Sequence, residues 1–415
     1  MRPVYCISLP EKCGIIHKYS ARSVAKILVM FKNFFRICHY LLSSLAITLS
    51  VAGHAEVLIH RTPDDGLQPR LIQGADGAVH LLYFKKRLDR PAAREGNLYY
   101  RSYLPEQNRF SATVKVSSQA FNLQTVAISR AAMAIGGAGR LHVMWYVAEE
   151  QQYFYTRSNL DRTQFEFQRA LASTFRDGLD AGGDVAAIGS SVAVVWGAGA
   201  LSREAERTMV ARFSADGGAS FGEELRISDS QLGACACCSM AAEFLSPDSL
   251  TVAYRSAVDG SGRHMQVLTA AGMFDHSLSW QYRSVSALQE WEATYCPLST
   301  NDIANDRSAQ PWLVFETMGR VVQMSLGEPT KPSWVGEPFT ETRQKNPAVA
   351  FNHRGDRLIA WGESVSHSRG GRLNLRIYTA GGVETDFPLA EQVQIANFSF
   401  PAVAALPDGN FLVLH

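Results

Sequence analysis

The chain has 415 residues, with 40 Lys plus Arg against 39 Asp plus Glu, for a formal net charge of +1. This balance argues against binding to nucleic acid or to an anionic membrane surface. Only 19% of the residues are charged, whereas 46% are hydrophobic and 32 residues are glycine, a composition that fits a globular domain with many tight turns.

The first 55 residues have the pattern of an export segment. Residues 30–36 are basic, an apolar run extends from Tyr40 to Gly53, and Ala55 ends a small-residue cleavage site. The apolar run, about 14 residues long, is too short for a membrane span, so no stable span is expected after cleavage. Met30 suits a start codon, which would place residues 1–29 outside the protein. The sequence predicts a periplasmic or secreted bacterial protein with a mature chain of residues 56–415.

The mature chain reads as one all-β domain built from short strands and turns, with almost no helical periodicity. Seven apolar strands share one pattern, six of them with an aromatic last residue, and they recur at intervals of about 46 to 62 residues, a period typical of propeller blades. They are Val79–Tyr83, Leu141–Trp145, Val192–Trp196, Leu250–Tyr254, Trp312–Phe315, Leu358–Trp361 and Phe411–Leu414. The pattern predicts a β-propeller of four-stranded antiparallel blades, and a two-sheet sandwich is the alternative.

The two ends of the mature chain predict how such a ring would close. Phe400–His415 supplies only the two inner strands of a blade, and Val57–His60 is a single strand without a partner. Joining them would remove free sheet edges, which otherwise invite aggregation. Six continuous units plus this shared blade give seven blades, with six as the alternative.

A turn motif spans Ser214, Asp216, Gly218 and Phe221. Asp216 can accept hydrogen bonds from turn amides, glycines can take the positive φ that the turn needs, and Phe221 can anchor it to the sheet. The spacing Ser-x-Asp-x-Gly-x-x-Phe resembles the Asp box of sialidases and other BNR-repeat propellers. In that family the box is a structural turn between the outer two strands of a blade, on the face away from the active site.

Four of the seven cysteines lie in the mature chain, in loops that would enter inner strands and meet near the channel mouth: Cys235, Cys237, Cys238 and Cys296. Three interpretations remain open. An exported chain with an even number of cysteines favours disulfides. Clustered thiolates also suit a soft metal, copper(I) or zinc. A reactive thiol pair is the third.

The Cys-x-Cys-Cys motif precedes a strand that ends in Tyr254-Arg255, and Trp291-x(4)-Cys296-Pro297 follows in the next blade. This combination resembles an uncharacterised branch of bacterial sialidase-like proteins, over most of the mature chain but specifically in its central third. The resemblance implies arginines that clamp a substrate carboxylate, a Tyr–carboxylate nucleophile pair and an acidic acid/base residue.

In a propeller, the loops that enter inner strands and those between the second and third strands share one face, around the central channel. Arginine suits a clamp there because its planar guanidinium binds a carboxylate bidentately. For each arginine or carboxylate, a solvated loop residue or a turn cap is the alternative. The candidate catalytic residues are Asp65, Arg70, Arg255, Glu292, Tyr295 and Arg343. The candidate ligand-binding residues are Arg130, Asp180 and Trp291.

Three functions follow from these features. If the protein is an exo-glycosidase of the sialidase type, arginines and a Tyr–carboxylate pair should converge in one pocket. If it is a non-catalytic propeller that binds a glycan, a peptide or a partner protein, this face should be shallow and should have no paired carboxylates. A metal or redox protein predicts bound metal or titratable thiols at the cysteines. We expect a sialidase-like propeller that binds a glycan or related ligand at the channel mouth.

Overall fold

The computed structural model describes residues 55–415, apart from residues 88, 90–93, 124–128, 237, 276–277, 285–287, 289, 328–330, 337–341, 364–365, 367–368 and 386–391. Ala55–His415 forms one compact unit. The export segment expected over residues 1–55 lies, except for Ala55, outside the described residues. Within the described part of the chain, no helix has the length and apolar character needed to cross a membrane.

Strands dominate the described chain, and the helical elements are single 3₁₀ turns at Pro63–Asp65, Pro105–Gln107, Gly137–Gly139, Ala148–Glu150 and Glu204–Glu206. The strands are β1 (Val57–His60), β2 (Leu67–Gln73), β3 (Val79–Lys86), β4 (Glu95–Leu104), β5 (Arg109–Phe110), β6 (Val114–Lys115), β7 (Phe121–Asn122), β8 (Ala132–Ile135), β9 (Leu141–Val147), β10 (Gln152–Arg157), β11 (Arg169–Ala170), β12 (Asp184–Ile188), β13 (Ser191–Ala198), β14 (Thr208–Ser214), β15 (Leu225–Arg226), β16 (Ala241–Ser246), β17 (Ser249–Arg255), β18 (Met265–Ala271), β19 (Ser279–Ser284), β20 (Asp302–Asn305), β21 (Pro311–Thr317), β22 (Arg320–Ser325), β23 (Ser333–Trp334), β24 (Gln344–Phe351), β25 (Arg357–Glu363), β26 (Arg372–Tyr378), β27 (Glu384–Thr385), β28 (Ala402–Ala405) and β29 (Phe411–Leu414).

These strands form seven sheets, which confirms the prediction of a propeller with seven blades rather than six. The first strand of each sheet lies next to the first strands of its neighbours and lines a central channel. In chain order the blades are β2-β3-β4-β5 with β6 and β7 also on β4, β8-β9-β10-β11, β12-β13-β14-β15, β16-β17-β18-β19, β20-β21-β22-β23, β24-β25-β26-β27, and β28-β29-β1. We number them blades 1 to 7.

Blade 7 closes the ring by joining the two ends of the domain. β1 pairs with β29 in the register Val57 to Phe411 and His60 to Leu414, and the Thr62 amide donates to the carbonyl of His415 at 2.9 Å. The shared blade was expected from the sequence, but it has three strands in the described chain and its β1–β29 pairing is parallel. β1 runs parallel to β29 because it must carry the chain to the face of the propeller where β2 begins.

The core lies between the blades, where the aromatic ends of the second strands are buried. Tyr83, Trp196 and Phe315 have no exposed surface. Trp196 of blade 3 packs against Tyr153 of blade 2, with ring centroids 6.2 Å apart. Burying a large apolar side chain contributes about 1.5 to 3 kcal/mol, so these repeated side chains are a main source of the cohesion between blades.

Two buried histidines occupy equivalent positions and serve this packing. His80 Nδ1 lies 2.7 Å from the hydroxyl of Tyr100, and His142 Nδ1 lies 2.6 Å from that of Tyr155. Burial lowers the pKa of His80 to about 4 and that of His142 to about 3, helped by nearby arginines. Both imidazoles are therefore neutral at physiological pH and are structural.

Candidate functional site

The central channel encloses a cavity of about 310 Å³ lined by residues from all seven inner strands. Such a volume is at the lower end of the range of about 300 to 1,000 Å³ found for small-molecule sites. Most lining residues are small or apolar. The charged residues on this wall, Arg70, Glu243 and Asp302, come from blades 1, 4 and 5.

Arg70 and Asp302 form an ion pair between blades 1 and 5, with Nη1 and Oδ1 2.5 Å apart. The second carboxylate oxygen of Asp302 accepts a hydrogen bond from the Val349 amide in blade 6 at 3.1 Å. Burial alone would lower the pKa of Arg70, but the carboxylates of Asp302 and Asp184 outweigh burial and raise it. Arg70 therefore stays charged, and its carboxylate partner comes from the protein itself.

Asp184 opens β12 and connects blades 3 and 4. Its carboxylate accepts from the amide of Val185 at 2.9 Å and from that of Ala242 at 2.8 Å. Burial raises the pKa of Asp184, although Arg70 and the two amides oppose this. Asp184 and Asp302 thus have the same role, in which a carboxylate at the start of one inner strand binds a backbone amide of the next.

Glu243 faces the cavity from the middle of β16. It accepts a hydrogen bond from Asn305 Nδ2 at 3.2 Å. Burial, reinforced by the negative charge of Asp184 and Asp302, raises the pKa of Glu243 to about 7, against the opposing effect of Arg70. This carboxyl group can therefore hold a proton near neutral pH.

Arg130 lies just before β8, with its guanidinium 5.0 Å above the ring of Phe400. It makes no hydrogen bond or ion pair with any residue that the structure describes. Burial, together with the positive charge of Arg70, lowers the pKa of Arg130 to about 10, against the opposing effect of Asp302 and Asp184. A half-buried guanidinium without a carboxylate partner is costly unless a ligand supplies one.

A second group of predicted residues forms a ladder of stacked side chains. The Arg343 guanidinium lies 5.2 Å from the Tyr295 ring and donates to its hydroxyl at 3.1 Å. Tyr295 packs edge-on against Trp291 at 6.1 Å, and Trp291 lies 5.1 Å from the guanidinium of Arg255. Tyr295 and Arg343 are exposed, whereas Trp291 and Arg255 are buried. The ladder runs from the surface into the contact between blades 4 and 5.

Arg255 cannot clamp a substrate, because its side chain has no exposed surface. Its guanidinium donates to the carbonyl of Arg263 at 2.9 Å and to that of Glu316, whose carboxylate lies 3.8 Å away. The catalytic role suggested by the sequence therefore fails for Arg255, and the side chain instead joins blade 4 to blade 5.

The three predicted acidic residues lie apart from one another. Glu292 is exposed and accepts from Ser261 Oγ at 2.6 Å. Asp65 is exposed in the 3₁₀ turn before β2. Asp180 binds the amide of Ala181 at 2.8 Å, and burial raises its pKa. Among the described residues, none of them makes a hydrogen bond or ion pair with the Arg70–Asp302 pair or with the ladder, so their predicted roles remain predictions.

The cysteine loop lies between β15 and β16, just before the inner strand of blade 4. Cys235 and Cys238 are buried, and their Sγ atoms are 3.7 Å apart, well beyond a disulfide bond of about 2.05 Å. Both residues and Arg255 line one small cavity, and their predicted site at the channel mouth remains a prediction. Cys296 is exposed in the loop before β20, and Cys237 lies outside the described residues. The predicted link from Cys296 to the cluster remains a prediction.

The turn predicted to be an Asp box lies between β14 and β15, the outer strands of blade 3. Asp216 accepts from the Ser220 amide at 2.9 Å and from Ser214 Oγ at 2.7 Å. Phe221 packs edge-on against Tyr155 of blade 2 at 5.0 Å. Burial would raise the pKa of Asp216, but the hydrogen bonds from the two serines hold it far below its usual range. The turn lies on the face opposite the loops that enter the inner strands, and it joins adjacent blades.

Sequence reasoning missed Asp184, Glu243 and Asp302, three carboxylates of the inner strands, of which Glu243 and Asp302 line the cavity. Asp184 and Asp302 are the first residues of β12 and β20, whereas Glu243 is the third residue of β16. An isolated acidic residue within a short, mostly apolar inner strand was the signal that could have revealed them. The described residues contain no cluster of three or more His, Cys, Asp or Glu side chains that could hold a metal ion.

Fold and site together define a seven-bladed β-propeller with a charged channel. No protein-family model matches the chain, and no curated protein matches it in sequence. Among solved structures, Kuenenia stuttgartiensis hydrazine synthase is similar at 12% identity and a TM-score of 0.50, covering 85% of this chain and 96% of that chain. An α-L-arabinofuranosidase from Fusarium graminearum is similar at 9% identity and a TM-score of 0.49, over 78% of this chain and 95% of that one.

A Trypanosoma rangeli sialidase is also similar, at 9% identity and a TM-score of 0.49, over 74% of this chain and 54% of that one. At 12% identity, the likeness to hydrazine synthase concerns the fold alone, and no activity is carried over from any of these proteins.

Proposed function

We propose that the protein binds a small ligand bearing a carboxylate, of the acidic-sugar class, at the channel mouth through Arg130. The observation that carries the proposal is the half-buried Arg130 guanidinium, which stacks on Phe400 and has no hydrogen-bond or ion-pair partner in the described chain. A carboxylate would supply two charge-assisted hydrogen bonds and offset the cost of burying this charge.

The neighbouring groups support the same ligand class. Arg70 is already paired with Asp302, so a ligand carboxylate is left to Arg130. The channel cavity of about 310 Å³ includes Met133, three residues after Arg130, in its lining, and its volume suits a monosaccharide rather than a polymer. The resemblance of the cysteine and Asp-box motifs to sialidase-like proteins agrees with a sugar acid.

Calorimetric titration tests the proposal, with N-acetylneuraminate and glucuronate compared with N-acetylmannosamine and glucose. We expect binding of at least one acidic sugar and none of the neutral ones. Arg130→Gln should weaken that binding by about 10- to 100-fold, the effect of losing hydrogen bonds to a charged group. Arg343→Gln, an exposed arginine of the ladder, is the matched control and should have little effect. Equal binding by wild type and Arg130→Gln would refute the proposal.

A second candidate is an exo-glycosidase of the sialidase type, favoured by Glu243. A carboxyl group with a pKa of about 7 in a ligand-sized cavity has the property required of a general acid. Hydrolysis of a fluorogenic sialoside by wild type, and its loss in Glu243→Gln, would support this function. If neither protein turns the substrate over, binding without hydrolysis is the better description.

We also propose that the chain is exported and cleaved near Ala55, the first residue of the compact unit. N-terminal sequencing of the exported protein should then begin close to Glu56. A mature protein that begins upstream of residue 50 would contradict this.

A further inference from the structure

A second, much smaller cavity lies beneath the cysteine loop, separate from the channel. Its volume is about 10 Å³, room for one water-sized species. Four sulfur-bearing residues line it: Cys235, Cys238, Met209 and Met240. All four are buried, and they come from β14, from the cysteine loop and from the residue just before β16.

The two thiols are spaced for a shared ion. Their Sγ atoms are 3.7 Å apart. Two sulfurs bound to one ion at about 2.3 Å lie about 3.8 Å apart at a tetrahedral angle, so the pair needs almost no movement to share a metal. Thioethers as further lining groups favour copper(I), because soft metals accept both thiolate and thioether ligands, whereas zinc sites use Cys, His and carboxylates.

The charged side chains around the cavity also favour copper(I) over zinc. Three charged residues line it, the half-buried Asp180 and the almost completely buried Arg207 and Arg255, so the cationic groups outnumber the acidic one. The Nε–H group of each guanidinium is buried without a hydrogen-bond partner in the described structure. A buried N–H group without a hydrogen-bond partner is stabilised by a nearby acceptor or negative charge. A copper(I) ion with two thiolates carries a net charge of −1, whereas zinc with two thiolates would be neutral.

We propose that Cys235 and Cys238 bind one copper(I) ion as a dithiolate, with the thioethers of Met209 and Met240 at its remaining positions. Binding releases one proton from each thiol and transfers no electron. The Arg207 and Arg255 guanidiniums compensate the charge of the complex. This site is independent of the Arg130 site, so either can fail without the other.

Anaerobic titration of the reduced protein with copper(I), against a chromophoric copper(I) chelator, tests the proposal. We expect one ion per chain to be withdrawn from the chelator and an X-ray absorption spectrum with a sulfur-only first shell. Cys235→Ser and Cys238→Ser should each abolish this binding. Met209→Leu and Met240→Leu, which preserve side-chain volume, should each weaken it by about tenfold or more, the size of effect seen on altering groups around a metal. Cys296→Ser is the matched control and should retain full binding.

Three results would overturn the proposal. The first is failure of the reduced wild type to compete with the chelator. The second is equal loss of binding in Cys296→Ser, which would show a different ligand set. The third is unchanged affinity in both methionine variants combined with tighter retention of zinc. Near-UV circular dichroism of each variant separates loss of a ligand from loss of folding.

Discussion

At the scale of single residues, burial decides which charges can reach a ligand. Arg130 and Arg255 both looked like channel-mouth arginines in the sequence. Arg255 is enclosed between blades and bound to two carbonyls, whereas Arg130 stacks on one ring and keeps its donors available. The difference comes from neighbours supplied by other blades, not from the local sequence of either arginine.

Glu243 should make stability depend on pH. Its pKa is about 7 in the folded protein against an ordinary value of 4.5, so the folded state holds a proton that the unfolded state loses. The free energy of unfolding should therefore fall as pH rises from about 4.5 to 7, by up to about 3 kcal/mol. Glu243→Gln should remove this decrease. Urea unfolding at pH 5, 6, 7 and 8 measures it.

The exposed Glu292→Gln variant is the control, and it should keep the pH dependence of the wild type. Parallel stability curves for wild type and Glu243→Gln would show that Glu243 does not titrate abnormally.

Two adjacent glycines of the turn between β14 and β15 provide a matched pair. Gly217 and Gly218 have φ values of +66° and +72°. A Cβ at Gly217 would meet nothing within 4 Å, whereas one at Gly218 would lie 1.9 Å from the Tyr155 hydroxyl. Gly217→Ala should cost about 1 to 2 kcal/mol for backbone strain alone, and Gly218→Ala about 2 to 5 kcal/mol. Thermal or urea unfolding compares them, and equal losses would disprove the clash.

At the scale of elements, neighbouring blades are joined by polar groups as well as by the apolar core. Asp184 and Asp302 each bind a backbone amide of the next inner strand, and Glu224 binds the amides of Ser173, Thr174 and Phe175. Inner strands do not share a sheet, so these side chains supply the hydrogen bonds that a continuous sheet would otherwise provide.

The buried Arg255–Glu316 pair should behave as a unit that links blades 4 and 5. Removing one partner leaves an uncompensated charge, so Glu316→Leu alone should cost about 3 to 5 kcal/mol. The double variant Arg255→Met with Glu316→Leu should recover a large part of that loss. A double-mutant cycle in urea measures the coupling.

The exposed Arg203–Glu206 pair is the control for this cycle, and its coupling should be close to zero. Strictly additive effects of Arg255→Met and Glu316→Leu would mean that the buried pair does not act as a unit.

At the scale of the whole molecule, stability depends on closing the ring. β29 pairs with β28 on one side and with β1 on the other, so it is the central strand of blade 7. Removing residues 411–415 should leave β1 and β28 with unpaired edges and expose the core between blades 6 and 7. We expect aggregation or loss of the cooperative unfolding transition, seen by size-exclusion chromatography and circular dichroism. A truncated protein that melts at the wild-type temperature would refute this closure.

The sequence by itself determined the architecture, because the information is local and repeated. The aromatic strand ends at Tyr83, Trp196 and Trp361 recur with the period of one blade, so the number of blades and the shared closing blade could be counted. The turn at Asp216 was readable for the same reason, since its hydrogen bonds join residues within a few positions of one another.

Only the tertiary structure decided the sites. The channel cluster joins Arg70, Glu243 and Asp302 from three blades, up to 232 positions apart in the chain. The sulfur cavity joins a methionine of β14 to the cysteine loop in the same way. Arg255 is buried, and Arg130 has no ion-pair partner among the residues that the structure describes. Both properties depend on packing between blades that no local pattern encodes. Charge and burial at these sites are properties of the closed ring, because each wall comes from a different blade.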